Sequence, residues 1–210
     1  MKVYSYLALG DSYTIGEKVP LTESFPYQTV QLLRKALSAH SHIDDRLHFM
    51  PPEIIAATGF TTDELIDAID KLALLPAYDF VTLLIGVNNQ YRGWPVATFE
   101  TEFEQLLQRA IRFAGGNPGC VYVLSIPDWG VTPFANDRDS TKIATAIDAF
   151  NLVCLQLSAK FQTQFIDITV SQRIDGDSDE FLATDQLHPS GKEYTKWATL
   201  LSEKMLHCIT

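Results

Sequence analysis

The chain has 210 residues, of which 46% are hydrophobic and 20% charged. These proportions exclude an intrinsically disordered chain and supply a core that needs no disulfide or metal staple. The formal net charge of −10, with no basic run, disfavours a nucleic-acid partner and attachment to an anionic membrane. No segment approaches the ~18 apolar residues of a membrane span, so no stable membrane insertion is expected. The opening MKVYSYLALGDSYT has an apolar run too short for a signal sequence, and it leads straight into a Gly-Asp-Ser turn. A cytoplasmic protein with a single domain over residues 1–210 is the expectation, and no oligomeric state is specified.

The first apolar run, residues 3–9, is short and β-prone and stops at Gly10. Tyr27, Val30, Leu32, Leu33, Ala36 and Leu37 then recur at helical spacing. A second strand is expected over residues 54–57. Thr61 and Glu64 form a capping box ahead of a helix whose apolar stripe is Leu65, Ile66, Ile69 and Leu72. Residues 80–85 are almost continuously apolar and end at Gly86, as a central parallel strand covered on both faces requires. A helix over residues 96–113 follows, then a strand over 121–126, a helix over 140–161 and a short strand over 165–168. Residues 171–186 read as a polar loop, and the last helix is expected to begin at Pro189 with Pro in its first position. This alternation predicts an α/β domain, a five-stranded parallel sheet with helices on both faces. Ligands of such sheets sit at the carboxyl ends of the strands, so the residues just beyond each strand carry the functional information.

Beyond the first strand lies Gly10-Asp11-Ser12, where a tight turn can expose a serine hydroxyl. A serine is a poor nucleophile without an adjacent base. Asp185-Gln-Leu-His188-Pro189 offers one, because Asp185 is placed to bind one imidazole nitrogen and leave the other free. Gly59 follows the second strand and Gly86-Val-Asn88 the third. A glycine N–H and an asparagine amide are donors suited to a developing oxyanion. Each block alone reads more plainly as a turn or cap; their order, each beyond an element ending on one sheet edge, favours a serine ester hydrolase.

In these four blocks the sequence resembles the SGNH (GDSL) hydrolase family across nearly the whole chain, with the pattern of its lysophospholipase-like or short-chain esterase branch. The resemblance implies a three-layer α/β/α, flavodoxin-like fold. It also implies a catalytic triad of Ser12, His188 and Asp185, and an oxyanion hole made of the Ser12 N–H, the Gly59 N–H and the Asn88 amide. The implied partner is a small-molecule ester, with no metal and no organic cofactor. Many members carry Asp after the Asn of the third block, where this chain has Asn89, which puts a supporting hydrogen bond in question. Position 14 is Thr, so the Gly-x-Ser-x-Gly elbow of α/β-hydrolases is absent.

Asp11, Tyr91, Arg92, Trp94, Asp128 and Trp129 lie near the same edge and are candidate substrate-pocket residues. His40, His42 and His48 lack the rigid spacing of metal ligands and read as solvated. Asp175 to Asp179 suggests a calcium loop, but Glu180 and Gln186 occupy its required Gly and acidic positions. Cys120, Cys154 and Cys208 form no CxxC pair and read as buried, reduced thiols. The rival readings are a carbohydrate O-acetylesterase or acyltransferase using the same triad, and a non-catalytic flavodoxin-like binding module. The intact Ser, His and Asp set, and a first loop too poor in glycine for phosphate, count against the last.

Overall fold

The computed structural model describes residues 2–39 and 47–209. β1 (Lys2–Tyr4) and β2 (Tyr6–Gly10) lead into the one-turn helix α1 (Ser12–Ile15) and the long α2 (Phe25–Ala39). Next come β3 (Leu47–Phe49), β4 (Glu53–Ala56), α3 (Thr62–Asp70) and β5 (Phe80–Leu84). The short α4 (Val87–Tyr91), α5 (Val96–Phe113) and β6 (Val121–Leu124) follow, then α6 (Ser140–Phe161) and β7 (Gln164–Ile166). α7 (Thr169–Asp175) and α8 (Gly191–Leu206) complete the series. Among the described residues no helix is long and apolar enough to cross a membrane.

A five-stranded sheet in the order β4-β2-β5-β6-β7, parallel throughout, forms the centre. Counted along the chain within this sheet, that is the 2-1-3-4-5 order of flavodoxin-like folds. Every residue of β2, β5 and β6 is buried, as strands covered on both faces must be. α2 and α8 pack together on one face; α3, α5 and α6, with α5 between the other two, cover the second. The expected three-layer α/β/α class is therefore the observed one.

Several boundaries differ from expectation for local reasons. The first apolar run is two strands, because Ser5 turns aside: its N–H and its hydroxyl both donate to Asp79 Oδ2, at 2.8 and 2.9 Å. β1 then leaves the main sheet and pairs in parallel with β3. His48 stands exposed on β3, while His40 and His42 lie outside the described residues. The polar stretch 171–186 is helical through Asp175, which pairs with Lys196 of α8. The last helix starts at Gly191 behind an Ser190 N-cap. Pro189 precedes the cap because residues 188–190 run extended against 181–183: Ala183 N–H donates to His188 O at 2.8 Å and Ser190 N–H to Phe181 O at 2.9 Å. Of the cysteines only Cys154 is buried; Cys120 is half-buried, and Cys208 is exposed with its sulfur 3.2 Å from Tyr122 Oη.

Beneath the first turn of the chain, Trp197 of α8 is fully buried among Tyr13, Phe25 and Tyr194, with ring centroids at 6.3, 6.1 and 5.1 Å. Its indole N–H donates to Glu193 Oε1 at 3.0 Å, so the ring is buried with its polar atom satisfied. Tyr13 in turn packs against His188, at 5.3 Å between centroids. Trp197→Ala should therefore cost about 3–5 kcal/mol of stability, measured as a lower midpoint in urea unfolding; a loss under 1 kcal/mol would mean that this layer repacks.

Candidate active site

Ser12 is the first residue of α1, two residues past the carboxyl end of β2. Asp11 caps that helix, its Oδ1 accepting the Tyr13 N–H at 3.0 Å. The Ser12 hydroxyl lies 3.0 Å from His188 Nε2, and the two residues are only 5% and 8% exposed. His188 Nδ1 lies 2.7 Å from Asp185 Oδ2, while Asp185 Oδ1 accepts the His188 and Leu187 N–H groups at 3.0 and 3.1 Å. Partial burial pushes the Asp185 carboxyl up, but the hydrogen bonds from His188 and Leu187 and the nearby imidazole draw it down further, below the ordinary carboxylate range. A charged Asp185 holds Nδ1–H, which leaves the Nε2 lone pair facing the serine hydroxyl.

Gly59 and Asn88 come to the same place from β4 and β5, the strands on either side of β2. Gly59 adopts φ +84°, a left-handed conformation suited to glycine. Asn88 Nδ2 gives one hydrogen to Phe60 O at 2.9 Å, and its second hydrogen stays available. The bond in question at Asn89 is present: its Oδ1 accepts the Thr62 N–H at 3.1 Å, and its Nδ2 donates to Thr62 Oγ1 at 2.7 Å. The Thr62 hydroxyl then donates to Glu102, so amide, hydroxyl and carboxylate form a directed chain.

This geometry has counterparts. The GDSL-like lipase/acylhydrolase family model matches residues 8–196. The chain belongs to this family. It is thus a hydrolase, and solved structures of the same fold accompany it at low identity. A lipase/acylhydrolase from Enterococcus faecalis is 21% identical with a TM-score of 0.68, covering 96% of this chain and 95% of that one. An acetylxylan esterase from Geobacillus stearothermophilus is 17% identical with a TM-score of 0.70, covering 98% and 96%. A psychrotrophic esterase from Pseudoalteromonas sp. is 19% identical with a TM-score of 0.63, covering 98% and 96%. No curated protein matches the sequence significantly.

In this GDSL hydrolase, Ser12, His188, Gly59 and Asn88 line a cleft of about 250 Å³. Its walls are apolar: Val87, Tyr91, Trp129, Phe134 and Leu187. Trp129 is held by a hydrogen bond from its indole to Gln90 Oε1 at 2.8 Å, and Tyr91 and Phe134 meet its ring edge-on. Of the candidate pocket residues, Tyr91 and Trp129 line the cleft. The others serve elsewhere. Asp11 is buried behind Ser12, Arg92 turns to the Gly59 carbonyl at 2.7 Å, and Asp128 is buried against Arg173 at 2.8 Å. Trp94 is half-buried and lies outside the cleft lining. Phe134 and Leu187 had no sequence signal beyond being apolar near the functional turns. Among the described residues no group of three or more His, Cys, Asp or Glu side chains is arranged to hold a metal ion.

Burial pushes the Asp11 carboxyl up to about 7, against the opposing N–H donors of Tyr13 and of Asp11 itself. Its Oδ2 has no hydrogen-bond partner, so ionisation there is poorly compensated. An unfolded Asp titrates near about 3.9. The folded state therefore binds this proton more tightly, and the resulting stability is complete below about pH 4 and lost as pH rises to about 7. Asp11→Asn keeps the cap acceptor and removes the titration. Between pH 5 and 8 the variant should lose less stability than the parent, by on the order of a few kcal/mol; equal slopes in urea unfolding would assign the pH dependence to other groups. At Asn89, substitution by Asp would leave one Thr62 hydroxyl proton for two carboxylates. Asn89→Asp should cost about 1–3 kcal/mol, and Glu102→Gln should recover part of it in a double-mutant cycle.

Proposed function

We propose that the protein hydrolyses short-chain carboxylic esters through an acyl-enzyme on Ser12. The observation that supports this most directly is the unbroken chain from Asp185 through His188 to Ser12, at 2.7 and 3.0 Å, which ends in an apolar cleft. In this reading the Ser12 oxygen attacks the ester carbonyl carbon while His188 Nε2 takes the hydroxyl proton. The carbonyl oxygen gains the negative charge and is received by the Ser12 N–H, the Gly59 N–H and the Asn88 amide. Collapse of the tetrahedral adduct expels the alcohol, which leaves with the proton from His188. Water, deprotonated by the same nitrogen, attacks the acyl-serine, and the second collapse returns the proton to Ser12 and releases the acid. Asp185 stays charged and stabilises the imidazolium formed in both halves.

The cleft, at about 250 Å³, is smaller than the usual small-molecule site. That size favours a short acyl group over a long chain. A carbohydrate O-acetyl ester is the second reading, supported by the aromatic wall of Tyr91, Trp129 and Phe134, a surface on which a sugar ring can stack. The structural neighbour that is an acetylxylan esterase is consistent with it.

Hydrolysis of p-nitrophenyl esters from acetate to long-chain acyl groups tests the proposal. Turnover should peak at short chains and be nearly abolished in Ser12→Ala, and Asn88→Ala should lower kcat by about 10²–10³. An optimum at long chains would overturn the size argument, and undiminished activity in Ser12→Ala would overturn the mechanism. Faster release of acetate from acetylated xylan than from p-nitrophenyl acetate would favour the second reading.

A further inference from the structure

Residues 59–62 connect β4 to α3 and contribute one of the proposed oxyanion donors, the Gly59 N–H, yet belong to no strand and meet a helix only at Thr62. Each of the four residues is tied by a side chain. Gly59 O accepts from Arg92 Nη2 at 2.7 Å, and Phe60 O accepts from Asn88 Nδ2 at 2.9 Å. The Thr61 N–H donates to Glu64 Oε2 at 2.9 Å, and the Thr62 N–H to Asn89 Oδ1 at 3.1 Å. Three of these four partners stand on or at the end of α4, which also carries the second donor, the Asn88 amide. The fourth, Glu64, lies 3.4 Å from the Arg92 guanidinium.

Gly59 itself resists displacement poorly. It sits at φ +84°, and a Cβ placed there would meet only Arg92 Nη2, at 3.8 Å. Steric crowding therefore does not hold this peptide, and glycine's torsions are the least restricted of any residue. Hydrogen bonds do the holding. One guanidinium nitrogen, Arg92 Nη2, reaches two acceptors at once, the Gly59 carbonyl at 2.7 Å and the Glu64 carboxylate at 3.4 Å. Asn88 and Asn89 are half-buried and buried, whereas the Arg92 side chain is 42% exposed, so Arg92 is the member of the clamp that can be removed without opening the core.

We propose that Arg92 is a positioning residue for the oxyanion pocket: by binding the Gly59 carbonyl and Glu64 together, it sets the spacing between the Gly59 N–H and the Asn88 amide. The proposal rests on the ester-hydrolase reading of the same site. It makes Arg92 neither a pocket wall nor a group that touches substrate.

Arg92→Gln and Arg92→Lys, assayed with p-nitrophenyl acetate, separate positioning from binding. A donor displaced from where charge develops weakens the transition state and leaves ground-state binding intact. The expected result for Arg92→Gln is a kcat about tenfold lower with KM changed less than about twofold, and partial recovery in Arg92→Lys. Backbone ¹⁵N relaxation gives a readout that does not need turnover: the order parameters of the Gly59 and Phe60 amides should fall in Arg92→Gln. Wild-type kcat in both variants, a loss carried by KM alone, or unchanged order parameters would each overturn the proposal. Absence of ester turnover in the parent protein would instead overturn the hydrolase reading, and the order parameters would still decide whether Arg92 clamps the segment.

Discussion

A side chain at position 10 would collide with Thr14 Oγ1 and with the Leu84 carbonyl oxygen of the neighbouring strand. Glycine there lets β2 pass into α1 within one residue while β2 stays hydrogen-bonded to β5 on one side and β4 on the other. Ser12 is thereby fixed to the end of a fully buried strand instead of to a loop. Position 10 also decides what Ser12 can meet, because the segments after β4 and β5 end on the same edge and bring Gly59 and Asn88 beside it. The imidazole needs separate support, which comes from the other end of the chain through the aromatic layer of Tyr13, Phe25, Tyr194 and Trp197.

Charge in the site is distributed by burial and by hydrogen-bond direction. Asp185 and Asp11 are both aspartates close to Ser12, yet they are pushed in opposite senses. Asp185 receives donors from the His188 ring and two backbone N–H groups and is held in its charged form. Asp11 has one carboxyl oxygen on the Tyr13 N–H and the other without a partner, and burial favours its neutral form. Two carboxyls with separated proton affinities can sit near one histidine without competing for it.

The sequence made the site more legible than the fold boundaries around it. Ser12, Gly59 and Asn88 could be singled out as candidates because each follows an apolar run, and Asp185 and His188 because of their spacing ahead of Pro189; each residue type has a specific use in acyl transfer. The long periodic helices α5 and α6 were equally plain. Elements set by tertiary contacts were not. Nothing in residues 2–10 announces that Ser5 will bind Asp79 and split the strand, since that bond joins residues 74 apart. α7 carries too few apolar positions to show a period, and Pro189 satisfies the sequence rule for a helix start while its backbone pairs with Leu182. Arg92 and Asn89 could be placed near the site, but their hydrogen bonds to Gly59 and Thr62 depend on how α4 meets the β4–α3 connection.

Ser12 and His188 stand 176 residues apart in sequence. They meet through the layer in which α2, near the start of the chain, packs along α8, near its end. The ribosome makes β2 and Ser12 before His188 and α8, so the His188 imidazole reaches the hydroxyl only after that later segment has been made and has docked. Until then the serine is an ordinary alcohol, because without a base its oxygen is a weak nucleophile. Long-range closure of this kind raises contact order and slows folding. It also makes the proposed reactivity depend on a contact between distant segments, so that a chain in which the α8 segment is absent or undocked carries Ser12 without its base.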